Sequence, residues 1–242
     1  MKSPRNLAVG VVSTCLALAF SLRAADTNAI LKATSFESLL ASANAGEVES
    51  QLKLARGHAG LPVSGVSGGI PINQTEAAKW FSKVATAGNV EGQSWMGQRL
   101  FNQANLTSDK RKRLELAQAS LNWLMKAAWQ GSIDAWGLLG QGFEEGKVFA
   151  KDPVEAYKWF HLLVLQKKDG GIYVMGPLGT ADTSRNRLSL LLSPAQIDQA
   201  KQRALDFMQA REKVTSKAVA ATGSKTEVPS TNGLAPAGLP PK

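Results

Sequence analysis

Two histidines, one cysteine, a pair of glutamates and a run of four cations are the residues of this 242-residue chain that could do chemistry beyond packing. General acid–base and nucleophilic catalysis usually involve a histidine set beside a second polar group. His58 opens the Gly/Pro-rich stretch GHAGLPVSGVSGGIP (57–71), and His161 follows Trp159-Phe160 on a helical pattern. Both read as solvent-facing or lightly packed. The sequence contains no HExxH, GxSxG, Walker or EF-hand pattern. GVSGG (65–69) has glycines but neither a following Lys-Ser/Thr nor a preceding strand, so it does not read as a phosphate cradle. Glu144-Glu145 close a helical segment before Gly146 and read as solvated. No catalytic, cofactor-binding or metal-binding residue is expected. KRKR (110–113) is the sharpest charge feature, able to meet nucleic acid, anionic lipid or an acidic partner. Its bland reading is a solvated loop entering a helix.

The elements behind these residues follow a repeat. EAAKWF (76–81) returns as EAYKWF (155–160), and the blurred copy LNWLMKAAW (121–129) lies between them. Alignment on helix-ending glycines places Gly46, Gly88 and Gly131 in one column. Three residues earlier stand Ala43, Ala85 and Ala128; seven earlier, Leu39, Phe81 and Leu124. Two residues later stand Val48, Val90 and Ile133; nine later, the small residues Ala55, Gly97 and Gly140. Each unit reads as two amphipathic helices. The third has one stripe of Leu114, Ala117, Leu121, Leu124, Met125 and Ala128, and a second of Ile133, Trp136, Leu139 and Phe143. Gly97 and Gly140 are expected to let the two helices of a pair approach. Asp152 should cap the fourth unit, with Pro153 in the first turn and Glu155 reaching back. SPAQ (193–196) repeats that logic before a last helix carrying Ile197, Ala200, Ala204 and Phe207.

Residues 123–160, WLMKAAWQGSIDAWGLLGQGFEEGKVFAKDPVEAYKWF, resemble a Sel1-like repeat: an aromatic or Trp, Lys-Ala-Ala, Gly, then Ala, Leu-Gly, an aromatic, Gly, Asp and the next Ala-x-x-Trp. The resemblance covers about 36–210, with an atypical first unit and a fourth disturbed by KKDGGIYVMGPLGTADT (167–183). It implies an all-α fold, an α-solenoid of tetratricopeptide-like helix-turn-helix repeats coiled as a right-handed superhelix. Neighbouring helical pairs in such arrays bury what one pair alone would expose. The resemblance also implies a non-catalytic scaffold for protein–protein assembly. Lys79, Lys83, Asn122, Lys126 and Lys158 read as outward positions of the first helices, a surface suited to an acidic or extended peptide. A second reading is an envelope protein assisting cell-wall or polysaccharide machinery, with Ile172, Tyr173, Val174 and Met175 as an apolar lip.

The ends differ from the middle. Lys2 and Arg5, the apolar run from Leu7 to Leu22 and Ala24-Ala25 have the order of a secretory signal peptide, cleaved after Ala24. Cleavage would remove Cys15 and lower the net charge of +9 by three. The expectation is therefore a secreted or periplasmic protein without disulfides, meeting the membrane only through that segment and no nucleic acid. An uncleaved anchor is the alternative. Residues 25–35 read as a linker, 36–210 as the repeat domain and 211–242 as a disordered tail, poor in aromatics and rich in Ala, Ser, Thr, Gly and Pro.

Overall fold

A computed structural model describes residues 34–168 and 177–222. The signal-peptide segment and the proposed lip at 172–175 lie outside the described residues, as does the end of the tail. Nine helices run through the described part: α1 (Phe36–Asn44), α2 (Val48–His58), α3 (Gln74–Thr86), α4 (Val90–Leu106), α5 (Lys110–Trp129), α6 (Ile133–Glu145), α7 (Pro153–Lys168), α8 (Pro177–Ser189) and α9 (Pro194–Thr222). The only strands among the described residues are β1 (Thr34–Ser35) and β2 (Val66–Ser67), a parallel pair joining Thr34 to Val66 and Ser35 to Ser67. The fold is all-α, as the sequence implies.

Two compact units meet inside α3, Met1–Trp80 and Phe81–Lys242. In the first, α1 packs on α2 with Leu39, Ala43, Leu52, Leu54 and Ala55 buried. In the second, α4 packs on α5, α5 on α6, α6 on α7, and α7 on both α8 and α9. Phe101, Leu124, Trp136, Leu139, Trp159, Leu163 and Phe207 belong to its continuous core.

The glycine column ends helices as its spacing predicts. Gly46, Gly88 and Gly131 have φ of 100°, 96° and 91°, backbone that favours glycine. Each is the turn residue of a Schellman motif. Gly88 N–H donates to Ala85 O (3.0 Å) and Asn89 N–H to Val84 O (2.9 Å); the third copy repeats this with Gly131 to Ala128 (2.9 Å) and Ser132 to Ala127 (3.0 Å). In the first copy, Gly46 and Glu47 donate to Ala43 and Ser42. Asn89 and Ser132 then cap the next helices through Gly92 N–H (2.9 Å) and Ala135 N–H (3.2 Å).

Several expectations need correction. A Cβ at Gly97 would lie 2.6 Å from Leu124, and one at Gly140 2.8 Å from Phe160. These glycines therefore admit the first helix of the following pair, not the partner within their own. The within-pair approach is made at Gly92, where a Cβ would come within 2.7 Å of the Ala85 nitrogen. Leu114 leaves its expected stripe and is 62% exposed. KRKR is not a loop but the first turn of α5, capped by Asp109. Asp152 caps α7 as expected, accepting from Glu155 N–H (2.9 Å), but the Glu155 carboxylate turns to Lys158 and Arg203 instead of reaching back. Finally, α9 continues past residue 210 to Thr222, so its last turns extend beyond the boundary placed at that residue.

Candidate functional site

The candidate surface begins with the exposed residues of the first helices. On the glycine alignment, Lys79 and Asn122 share one column and Lys83 and Lys126 another, one helical turn apart. Lys79 is exposed and pairs with Glu76 at 3.2 Å, its Nζ 5.6 Å from the Trp80 ring centroid. Lys83 is also exposed. Asn122 is exposed, and its Oδ1 accepts from Gln118 Nε2 at 3.1 Å. Lys126 is half-buried, with its ammonium 4.8 Å from the Trp123 ring. Lysine against an indole face is a weak electrostatic attraction that holds the cation without removing it from water.

Lys158 does not belong with them. It is buried, ion-paired to Glu155, and lies 4.0 Å from the Trp159 centroid and 5.6 Å from that of Phe207. α9 covers this turn of α7, and that covering helix is the physical reason. Arg203 from α9 reaches Glu155 at 3.3 Å and Asp152 at 3.8 Å, completing a cluster of two acids and two bases. Burial lowers the Lys158 pKa from its ordinary value; the charge and hydrogen bond of Glu155 oppose the shift. The cluster joins two helices.

His58 is buried, more deeply than its sequence position suggests. Its Nδ1 lies 2.7 Å from Pro71 O and its ring meets Phe36 edge-on. A carbonyl can only accept, so Nδ1 carries the hydrogen and ties α2 to the connector. His161 stacks near Tyr157 with centroids 6.0 Å apart. Glu144 pairs with Arg187 at 2.6 Å, and Glu145 accepts from Gln141 at 2.8 Å, so the glutamate pair is engaged locally. Among the described residues no group of three or more His, Cys, Asp or Glu is placed to hold a metal ion.

A column five residues after each glycine escaped the sequence reading. Gln51 Nε2 donates to Ala43 O at 2.9 Å, Gln93 Nε2 to Ala85 O at 3.3 Å, and Trp136 Nε1 to Ala128 O at 3.1 Å. Each donor spans eight residues to a carbonyl that the end of a helix leaves without an intrahelical partner. The signal available was functional, not chemical likeness: Gln, Gln and Trp share a side-chain N–H at similar reach. Gln130 adds a tie between successive pairs, donating to Gly88 O (2.9 Å) and Gln93 Oε1 (2.8 Å). Arg211 ends the series from α9. Its Nε donates to Trp129 O at 3.0 Å, and its guanidinium lies against Gly131, where a Cβ would be 2.3 Å away.

No protein-family model matches the chain, and no curated protein matches it. Among solved structures, one match is c5321, a protective antigen present in uropathogenic Escherichia coli strains and displaying an SLR fold. It is 20% identical, with 81% of this chain and 45% of that one covered and a TM-score of 0.40. This chain thus spans less than half of that protein's length. Another is a Sel1 repeat protein from Oxalobacter formigenes, 24% identical over 63% of this chain and 96% of that one, with a TM-score of 0.42. This chain is similar in fold to Sel1-like repeat structures.

Proposed function

We propose that this chain is an exported, non-catalytic scaffold that binds a protein or peptide through the outward columns of its first helices. The observation that carries this reading is the division of labour within each repeat. The glycine, alanine and +5 columns are consumed by packing and backbone satisfaction, whereas Lys79 and Asn122 share a column and are both exposed, and in the next column Lys83 is exposed and Lys126 half-buried. A recurring exposed column with no part in the core is what a ladder of weak contacts to an extended ligand requires. Its lysines favour an acidic segment, steering association and setting register more than adding affinity. Lys158 is excluded from this surface by its burial.

Export rests on the residues preceding Asp26 and is tested by intact mass: loss of residues 1–24 is expected, and retention in a membrane fraction would favour an anchor. The binding role is tested by cross-linking in native envelope extract, comparing the wild-type chain with Lys79→Glu/Lys83→Glu/Lys126→Glu. Partners captured by the first and lost by the second, at equal thermal stability, are expected. Identical capture by both would remove these columns as the site.

A further inference from the structure

The corner between α4 and α5 combines two features. The first is charge. Six of the nine described helices, α1 to α4, α6 and α7, carry an acid in the first turn, the placement that the helix macrodipole favours. α5 carries none there; it starts with Lys110, Arg111, Lys112 and Arg113. Those cations sit at the positive end of the helix, where they oppose its formation. Asp109, which caps Lys112 N–H at 3.1 Å, offsets only one of these four charges. Arg113 is used to hold the corner, donating to Thr107 O at 2.8 Å. Arg111 pairs with Glu115 at 3.2 Å, but the two side chains are 90% and 65% exposed, so the pair is weak and exchangeable. Lys110 and Lys112 are exposed.

The second is apolar, and here the exposed leucines lie beside cations, unlike Leu190 and Leu191 between α8 and α9, which are 87% and 73% exposed. Leu106, the last residue of α4, is 85% exposed, and Leu114, in the second turn of α5, is 62% exposed. Leu114 stands three and four residues after Arg111 and Lys110, which places all three on one side of the helix. Two exposed leucines thus flank three accessible cations in sequence, and the leucines serve neither the core nor solubility. They match the interface of an anionic bilayer, where phosphates attract cations and the acyl boundary takes up short apolar side chains.

We propose that the α4–α5 corner docks on an anionic lipid surface, with Lys110, Arg111 and Lys112 at the headgroup phosphates and Leu106 and Leu114 entering the interfacial layer. The contact is peripheral and salt-sensitive. It would orient the scaffold at a membrane independently of the partner columns, and it stands whether or not those columns bind a peptide.

Sedimentation of the full chain with vesicles of equal parts phosphatidylcholine and phosphatidylglycerol tests this, with pure phosphatidylcholine vesicles as reference. Binding to the anionic vesicles only, weakening steeply as salt is raised, is expected. Lys110→Gln/Arg111→Gln/Lys112→Gln should weaken it by about a hundredfold, roughly fivefold per cation. Leu106→Ser/Leu114→Ser should weaken it by about tenfold. A bimane label on Leu106→Cys in a Cys15→Ser background should shift to the blue on anionic vesicles, a readout that requires no loss-of-function variant. Equal binding of wild type and both variants would overturn the proposal. So would loss with the cation variant alone and no blue shift. That outcome, especially with tight binding to polyglutamate, would make the corner a site for an acidic polymer or protein instead.

Discussion

The α1–α2 pair and the α5–α6 pair solve one backbone problem with different side chains. In both, a left-handed glycine ends the first helix and donates to the carbonyl of the alanine three residues earlier, which has room to accept a second donor. The first pair supplies the amide of Gln51; the other supplies the indole of Trp136, which is itself 1% exposed. The amide does little beyond the hydrogen bond. The indole makes the same bond and also fills the core beside Phe207, 6.4 Å away. One position can thus be a polar tie in one copy and a packing centre in another, because the fold fixes only the direction of an N–H.

That contrast can be broken in graded steps. Trp136→Ala should cost about 3–5 kcal/mol by denaturant unfolding, since it opens a cavity and removes a buried hydrogen bond together. Trp123→Ala should cost far less, although Trp123 shares a repeat column with Trp80. It is only half-buried, whereas Trp80 is 1% exposed. Equal losses for Trp80→Ala and Trp123→Ala would mean that repeat column, not burial, sets the energy. Next comes Glu155→Gln, which leaves the Lys158 ammonium buried without its counter-charge. A loss on the order of 3 kcal/mol is expected, with Glu155→Gln/Lys158→Met recovering most of it. A double variant no better than the single would show that the cluster is not what the mutation damages.

Gln51→Ala and Gln93→Ala should each cost about 0.5–1.5 kcal/mol, the net worth of one hydrogen bond to a carbonyl that the turn glycine also serves. A loss at Gln51 matching that at Trp136 would erase the distinction between tie and packing centre. The smallest effect is that of pH. Because burial lowers the Lys158 pKa, the unfolded chain holds that proton more firmly than the folded one. Stability should therefore rise with pH between the lowered value and the ordinary 10.5, and Lys158→Met should lack this increment. A fall across that window in the difference between the two proteins would contradict the burial of Lys158.

The sequence was legible where a single residue type answers a single backbone demand. Gly46, Gly88 and Gly131 mark the turns because only glycine adopts that backbone freely, and Asp152 and Ser193 mark helix starts through their caps. The +5 column was hidden because Gln and Trp look unrelated until the carbonyls they meet are placed. Lys158 was misread as outward because helical spacing along α7 carries no information about α9, a segment distant in sequence that covers it. The continuation of α9 was hidden for a like reason. Arg211 looks like the start of a polar tail, and its bond to the helix-end carbonyl of Trp129, 82 residues earlier, explains its order.

The account rests most on indoles withdrawn from water where successive helices meet. Hydrogen–deuterium exchange of the six indole N–H groups, followed by ¹⁵N-correlated NMR and assigned with single Trp→Phe variants, reads this in the native chain. The Trp136 indole, buried and bonded to Ala128 O, should be among the last to exchange, and that of Trp123 among the first. If the two exchange together at the rate of a solvent-exposed indole, the stacking of α5, α6 and α7 described here is wrong.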